Sequence, residues 1–430
     1  MNPLPYAHLG RTADNELHLD GVPLSRVAED FGTPTYVYAR SAIEQAYHAL
    51  SGAFGDRPHQ ICYAVKANSN QAILALLARL GAGFDIVSGG ELARVLAAGG
   101  MPHKIVFSGV GKRHDEIRAA LEADIGCLNV ESAAELARIS DIARTLGRVA
   151  PISLRVNPDV DAKTHPYIST GLKDNKFGIP IEHALALYRQ AAQDSHLNVV
   201  GIDCHIGSQL TDVTPFSDAA QRVLTLLDQL VSEGIELKHL DLGGGLGIRY
   251  TDETPPTAAD WVRAVVDIVD AHPIARHLPI YLEPGRFLVG PAGILLTRVE
   301  YLKPHPTDGK SFAIVDAAMN DLMRPALYSS VMAIEPVIPH PNAVAATWEI
   351  VGPVCETGDF LGHARDLALQ QGDLLAILGA GAYGFSMASN YNTRGRPAEI
   401  LIDNGQCHVV RAREPVESLW SNEFIPENLL

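Results

Sequence analysis

Cysteine is scarce in this sequence, and its few cysteines follow no spacing pattern. Five are present among 430 residues, widely separated along the chain: Cys62, Cys127, Cys204, Cys355 and Cys407. Their odd number argues against a disulfide scaffold, and none has the close pairing of a metal-binding motif. We therefore expect a reduced, cytoplasmic protein without a bound metal.

Long apolar runs and clusters of basic residues are also missing. No stretch reaches membrane-spanning length, and the first residues, Met1 to Pro5, lack the charged-then-apolar pattern of a signal peptide. Acidic side chains outnumber basic ones by 50 to 34, which gives a formal net charge of −16. These absences argue against a membrane or a nucleic acid as a partner.

What the chain does contain is a regular alternation of short apolar runs with helical patterns. Eight strand-like runs cover residues 61–65, 84–87, 105–107, 126–130, 152–156, 199–204, 239–242 and 280–282. The segments between them have apolar residues at i, i+3, i+4 and i+7, as amphipathic helices do. This alternation predicts an α/β fold with a (β/α)8 TIM barrel, and an open, doubly wound sheet is the alternative.

Beyond residue 286 the pattern changes to short strand-like runs without long amphipathic helices. These runs cover residues 294–302, 312–315, 331–338, 347–351, 373–378 and 400–410. Near the N-terminus, strands are predicted at 16–19 and 34–38. We therefore predict a barrel over residues 36–284, with residues 1–35 and 285–430 forming a β-rich domain.

The segment from Tyr63 to Asn70 places a lysine where the first barrel strand ends. Lys66 follows the apolar run, and the polar residues after it can cap the next helix, predicted at 72–80. Partial desolvation at such a position would lower the pKa of the lysine and expose a nucleophilic amine. The alternative is a surface lysine at the end of a strand.

Three later strand ends carry further polar groups. His205 follows the sixth run, where its ring could lie against the flat face of a cofactor or could simply be a hydrogen-bonded histidine of the core. Gly243, Gly244 and Gly245 follow the seventh, where backbone N–H groups can close on a phosphate, although many such segments are only tight turns. The eighth run ends in Glu283-Pro284-Gly285-Arg286, which could equally form an ion pair at the domain boundary.

The chain resembles the alanine racemase-like (fold type III) pyridoxal-phosphate decarboxylases. The resemblance lies in the order of four features along the chain: the lysine, the histidine, the glycine-rich loop and the Glu-Pro-Gly-Arg segment. Three segments of the β-rich domain are similar to the diaminopimelate decarboxylase family: 320–328, 352–359 and 382–392. Thr357 departs from the serine that the family often has there, a change that keeps the hydroxyl. The resemblance covers nearly the whole chain.

The resemblance implies pyridoxal 5'-phosphate as the cofactor. Lys66 would bind it covalently, Glu283 would meet its pyridine nitrogen and His205 would stack on its ring. The full set of implied cofactor-binding residues is Lys66, Asp85, His205, Ser208, Gly243, Gly244, Gly245, Glu283, Gly285, Arg286 and Tyr383.

The resemblance also implies how the substrate is held. Arg286, Arg324 and Tyr328 would bind a distal carboxylate, Glu356 would bind a distal ammonium, and Tyr383 would line the site. Together with Lys66 and His205, Cys355 would act in catalysis as the proton donor, whereas a buried structural thiol is the alternative for Cys355. Since Cys355 and Glu356 of the family reach the neighbouring subunit, a homodimer with shared active sites is implied.

The implied activity is the decarboxylation of meso-2,6-diaminopimelate to L-lysine and CO2, the last step of lysine biosynthesis. One alternative is an ornithine- or arginine-type decarboxylase of the same fold, although these enzymes typically have Cys-Asp where this chain has Cys355-Glu356. The other is a non-enzymatic pyridoxal-phosphate carrier, against which the second domain argues. An alanine racemase would instead present a tyrosine base at the position of Cys355.

Overall fold

The computed structural model describes residues 4–160, 175–340 and 344–429. It divides into two compact units. The barrel unit consists of Glu44–Ile248 and Glu253–Val289, and the β-rich unit consists of Met1–Ile43, Arg249–Asp252 and Gly290–Leu430. Each unit is described by itself.

Within the described residues of the barrel unit, eight parallel strands form a closed barrel. They are His59–Ala64, Gly83–Ile86, Ile105–Phe107, Cys127–Val130, Ala150–Asn157, Leu197–Asp203, His239–Asp241 and Ile280–Leu282. The last strand pairs with the first, in the register Ile280 to His59 and Leu282 to Ile61, so the sheet has no open edge. The predicted barrel is therefore confirmed, and the open doubly wound sheet is wrong.

Helices alternate with the barrel strands because a parallel connection needs a crossover, and the first helix precedes the first strand. They are Arg40–Ala53, Gln71–Arg79, Gly89–Ala97, His114–Glu122, Ala133–Leu146, Ile181–Gln193, Thr214–Ser232 and Ala258–Ala271. Asn70 caps the second of these by accepting a hydrogen bond from the Ala72 N–H at 2.9 Å, as its position in the sequence predicts. Ser88, Ser132 and Thr257 cap later helices in the same way.

Short elements complete the barrel unit. The two-residue strand Ile179–Pro180 pairs with Ala150–Asn157. The remaining pieces are single turns of helix: Val65–Ala67, Pro102–Lys104, Ala275–His277 and Arg286–Val289. No helix in the described parts of the chain is both long enough and apolar enough to cross a bilayer.

A mixed sheet dominates the β-rich unit. Its strands, in spatial order, are Phe360–Leu367, Ala346–Val351, Ser311–Val315, Gly293–Lys303, Thr35–Ala39, Ala398–Asp403 and Gln406–Arg411. Leu374–Leu378 pairs with Gly293–Lys303 and with Ile334–Pro336. A small sheet of Leu9–Arg11, Leu17–Leu19 and Val22–Pro23 precedes the helix Leu24–Phe31, and a five-residue helix covers Arg324–Tyr328.

Three features of this unit differ from the sequence prediction. The strand Thr35–Ala39 pairs with Gly293–Lys303 and Ala398–Asp403, so it lies in this sheet although the barrel was predicted to begin at residue 36. The run predicted at 400–410 is a hairpin, because Asn404 and Gly405 turn the chain with φ of 48° and 76°. Phe360–Leu367 was not predicted, since charged side chains interrupt its apolar pattern.

Candidate active site

Lys66 lies at the C-terminal end of the first barrel strand, in the turn Val65–Ala67. Its Nζ is 2.5 Å from Oδ2 of Asp85, which ends the neighbouring strand. The Asp85 side chain is fully buried, whereas that of Lys66 is 39% exposed. A buried carboxylate thus fixes the direction of a lysine whose amine remains accessible.

The imidazole of His205 is held in one tautomer. Its Nδ1 accepts a hydrogen bond from the Gly244 N–H at 3.1 Å, so the proton of the neutral ring lies on Nε2. Burial, reinforced by the positive charges of Arg155 and Lys66, lowers the pKa of His205 well below its ordinary value. His205 therefore presents a neutral ring at neutral pH.

The glycines at 243–245 allow three strand ends to come into close contact. A Cβ atom would lie 2.5 Å from the Cys204 carbonyl oxygen at Gly243, 2.0 Å from that of Glu283 at Gly244, and 2.3 Å from that of Gly207 at Gly245. A side chain at any of these positions would force the backbone apart. The amides of Gly243 and Gly244 donate to Asp241 Oδ1 and His205 Nδ1, so these two N–H groups also shape the loop itself.

Glu283 is buried at the end of the eighth strand among neutral and acidic groups. Its Oε1 lies 3.4 Å from both the Ser108 hydroxyl and the Asn129 amide nitrogen. Burial raises the pKa of Glu283 well above its ordinary value, and the carboxyl groups of Asp241, Asp85 and Asp203 raise it further. A cation placed against this carboxyl group would lower the free-energy cost of ionising it.

Arg286 begins the short helix after Glu283 and is buried, at 5% exposure. Its Nη2 donates to the Ser208 hydroxyl at 2.9 Å. The structure thus brings two of the predicted site residues into direct contact. Together with Lys66, Asp85, His205 and Glu283, they place the predicted barrel residues at the ends of the strands where TIM-barrel active sites occur.

In the β-rich unit, Arg324 contacts two aromatic rings. Its Cζ is 5.2 Å from the ring centre of Tyr250 and 5.7 Å from that of Tyr328, and its Nη2 donates to the Ser330 hydroxyl at 3.3 Å. Arg324 as a whole is buried, at 5% exposure. Two ring contacts and one hydrogen bond thus hold a guanidinium, a group suited to bidentate binding of a carboxylate.

Cys355 and Glu356 lie on an exposed turn of the same unit. The Cys355 N–H donates to Asn392 Oδ1 at 2.7 Å, and buried Asp359 anchors the turn by accepting from the Val354 and Met319 N–H groups at 2.8 and 2.6 Å. The interpretation of Cys355 as a buried structural thiol is wrong, because the thiol is exposed.

Tyr383 has a backbone conformation that bulky residues seldom adopt, with φ of 54°. Such a conformation costs free energy, and residues that retain it cluster at functional sites. The side chain is half-buried. This geometry marks Tyr383 as a candidate functional residue independently of its sequence context.

Comparison with known proteins decides the family. Residues 40–290 match the family model for "Pyridoxal-dependent decarboxylase, pyridoxal binding domain". A diaminopimelate decarboxylase from Pseudomonas aeruginosa is 60% identical over 412 residues, which cover 96% of this chain and 98% of that protein. The chain belongs to the diaminopimelate decarboxylase family. The resemblance in its sequence motifs is thereby confirmed.

Solved structures of diaminopimelate decarboxylases agree with this assignment. The Helicobacter pylori enzyme complexed with L-lysine has a TM-score of 0.89 and 43% identity, and the match covers 95% of this chain and 100% of that chain. The enzyme from M. jannaschii in co-complex with L-lysine has a TM-score of 0.94 and 39% identity, with 99% and 100% covered. The fold, the enzyme class and the pyridoxal-dependent chemistry of this family member are those expected from its sequence.

Several charged residues of this diaminopimelate decarboxylase family member were missed by sequence reasoning. Arg155, Asp203 and Asp241 lie inside the barrel, and Glu131 pairs with Arg155 at 3.0 Å. Burial raises the pKa of Glu91 to about 7, and the nearby Lys66 acts in the opposite direction. Charged residues within or directly after parallel strands, which are normally apolar, are a signal that could have found the first four of these residues, whereas Glu91 lies in the helix Gly89–Ala97.

Tyr250 was missed for a different reason. It lies seven residues after Gly243, in a segment with no strand or helix pattern, and it belongs to the short stretch Arg249–Asp252 of the β-rich unit. Its ring meets Arg324 across 74 positions of sequence. No local pattern in the sequence predicts such a contact.

Proposed function

We propose that this chain catalyses the decarboxylation of meso-2,6-diaminopimelate to L-lysine and CO2, the last step of lysine biosynthesis, with pyridoxal 5'-phosphate as its cofactor. The observation that carries the proposal is the accessible Lys66 beside buried Asp85, in a chain 60% identical to a diaminopimelate decarboxylase. A lysine at a barrel strand end, held by a carboxylate, has the position needed for covalent binding of an aldehyde.

The residues around Lys66 fit pyridoxal phosphate. Glu283 is a buried carboxyl group whose raised pKa would fall beside a cationic ring nitrogen. His205 offers a neutral ring face, and the backbone after Gly244, with Ser208, Gly285 and Arg286, would hold the phosphate. When bound, the cofactor supplies an electron sink that stabilises the negative charge left by departing CO2.

Substrate recognition would follow from charge. Diaminopimelate carries a second amino-acid group at its far end, so its site needs a partner for a carboxylate and one for an ammonium. Arg324, with its guanidinium held by contacts with Tyr250 and Tyr328, suits the carboxylate, and Arg286 and Tyr383 would assist. Glu356 suits the ammonium.

Cys355 would donate the proton that replaces CO2 on the reacting carbon. Its thiol and Glu356 are exposed on one turn of the β-rich unit, as expected for groups that complete the active site of a second subunit. We therefore propose a homodimer with shared active sites. Its proposed location is the cytoplasm, in keeping with three buried thiols and with cysteines that are all unpaired in the described part of the chain.

The activity is tested by measuring CO2 release from a panel of amino acids. The panel contains meso-diaminopimelate, its L,L form, ornithine, arginine and lysine, each supplied to protein loaded with pyridoxal phosphate. We expect a clear preference for meso-diaminopimelate. A preference for ornithine or arginine would overturn the substrate assignment and favour a basic-amino-acid decarboxylase.

A further inference from the structure

Three carboxyl groups meet inside the barrel at the ends of three neighbouring strands. Oxygen atoms of Asp203, Asp241 and Glu283 all lie within 4.8 Å of one another. The three residues are between 0 and 6% exposed. Asp203 and Asp241 are register partners on adjacent strands, so the backbone of the barrel itself holds their side chains side by side.

No positive charge nearby is dedicated to neutralising these three carboxyl groups among the described residues. Two cations that act on the cluster are paired with other carboxylates: Arg155 with Glu131 at 3.0 Å, and Lys66 with Asp85 at 2.5 Å. His205 is neutral, since its pKa is lowered. The neighbouring thiols are uncharged as well, because burial raises the pKa of Cys62, Cys127 and Cys204.

Three negative charges cannot persist at this separation in a buried space without a dedicated cation. The cluster must therefore retain protons at neutral pH. Burial and mutual repulsion raise the pKa of Asp203 and Glu283 well above the ordinary range, and burial raises that of Asp241 to about 7. Protons held by such interacting groups belong to the cluster rather than to one residue.

Asp241 has one carboxyl oxygen engaged by the backbone and one that is open to a proton. One of its oxygens, Oδ1, accepts from the Gly243 N–H at 3.0 Å. Its other oxygen, Oδ2, is buried and meets no N–H or O–H donor in the parts of the chain that the structure describes. An oxygen of Asp241 lies within 4.8 Å of an oxygen of Glu283, so a proton on either carboxyl group is close to the other group.

We propose that Asp241 is a positioning residue that takes up the Glu283 proton when the cofactor binds. Without cofactor, the proton stays on Glu283. When a cationic ring nitrogen lies against Glu283, the O–H bond on Glu283 breaks and an O–H bond on Asp241 forms. Asp241 then donates a charge-assisted hydrogen bond that orients the Glu283 carboxylate, and no proton leaves the barrel. This inference rests on the proposed contact of Glu283 with the pyridine nitrogen.

The test is the number of protons released when pyridoxal phosphate binds, measured by titration calorimetry in buffers of different ionisation enthalpy. Asp241→Asn keeps the shape of the side chain and the acceptor for Gly243, but its amide cannot take up a proton. We expect it to release about one proton per site more than the unmodified protein. Asp267→Asn, an exposed substitution on the helix Ala258–Ala271, should match the unmodified protein.

Equal proton release by Asp241→Asn and the unmodified protein would overturn the inference while leaving the proposed function intact. Failure of the unmodified protein to bind pyridoxal phosphate would overturn both. Should Asp241→Asn not fold, the infrared spectrum of the cofactor-free protein at about pH 8 decides instead. It must contain the carbonyl band of a protonated, buried carboxyl group, and a fully ionised cluster would refute the inference.

Discussion

The two units of this molecule present their candidate groups in opposite ways. In the barrel unit, Asp85 and Glu283 are buried and each is hydrogen-bonded, whereas the Lys66 side chain is 39% exposed. In the β-rich unit, Arg324 is buried against aromatic rings, but Cys355 and Glu356 lie on an exposed turn. The cofactor half of the proposed site is thus organised within one unit, whereas its proton donor faces outward.

This contrast follows from what each half has to do. A group that sets the electronic state of a cofactor works best in a fixed, dry environment, where charge interactions are strong. A group that meets a substrate must remain accessible until the substrate arrives. An exposed acid that has to work in a water-free site needs a second surface to cover it, which a partner subunit would supply.

Replacement of Lys66 should have the largest effect and tests the proposed cofactor site of the barrel unit. Lys66→Ala should lower kcat by on the order of a thousandfold or more, because the covalent step loses its nucleophile while the fold remains. Borohydride reduction of the loaded unmodified protein, followed by peptide mapping, should place the cofactor on Lys66. Exposed Lys238→Ala is the matched control and should retain activity. Cofactor found on any other lysine would contradict the central assignment.

Replacement of Cys355 tests the outward-facing half. Cys355→Ala should lower kcat by roughly 10²- to 10⁴-fold with little change in substrate affinity, since proton donation follows binding. Cys407→Ala, which removes a partly exposed thiol elsewhere in the same unit, should be neutral.

Mixing Lys66→Ala with Cys355→Ala subunits sharpens the comparison further. If one chain supplies the lysine and its partner the thiol, half of the sites in a mixed dimer regain both groups and activity returns in part. The absence of recovery, once subunit exchange has been verified, would mean that each site is built from a single chain.

Arg324→Met tests whether the buried arginine recognises the distal carboxylate. Losing one partner of a desolvated charge pair costs about 2–5 kcal/mol. At about 1.4 kcal/mol per decade, this corresponds to roughly 30-fold to a few thousand-fold in kcat/KM for diaminopimelate. Exposed Arg26→Met is the control, with little expected change.

Binding of two ligands to Arg324→Met distinguishes a role of Arg324 in substrate recognition from a role in supporting the fold. L-Lysine keeps the amino-acid group that survives decarboxylation, whereas 1,5-diaminopentane lacks every carboxylate. Arg324→Met should weaken binding of L-lysine and leave that of 1,5-diaminopentane nearly unchanged. Equal weakening of the binding of both ligands, or unfolding of the variant, would show that Arg324 supports the fold instead.

The sequence predicts local features of this molecule better than distant contacts. The helix cap at Asn70 and the position of Lys66 at a strand end depend on neighbouring residues, and both are found in the structure. The eight strands follow from periodicity, and closure of the barrel follows from their number. By contrast, the hairpin at Asn404-Gly405 was overlooked although this dipeptide is a recognised turn signal.

The carboxyl cluster could not be predicted in the same way. Asp203 and Asp241 become neighbours only through the register of two strands, and Glu283 joins them through the curvature of the barrel. Their sequence positions, 38 and 42 residues apart, carry no periodic signal. A charged residue at the end of an otherwise apolar strand indicates that a polar group is buried there. Which residues it contacts can be learned only from the three-dimensional structure.

The smallest expected effect concerns Tyr250, whose ring contacts Arg324, the proposed recognition group. Its ring lies 5.2 Å from the Arg324 guanidinium, and it is 4% exposed. Tyr250→Leu removes this cation–π contact, worth about 0.5–2 kcal/mol, so kcat/KM for diaminopimelate should fall roughly twofold to 30-fold.

Tyr250→Phe keeps the ring face and should restore most of that loss, because the contact depends on the ring rather than on the hydroxyl. Urea unfolding of both variants measures how much of the change is lost packing. If Tyr250 positions Arg324, Tyr250→Leu should weaken L-lysine more than 1,5-diaminopentane, repeating the Arg324→Met pattern at smaller amplitude. Equal weakening of the two ligands would assign Tyr250 to the core alone, and the guanidinium would then owe its orientation to Tyr328 and Ser330.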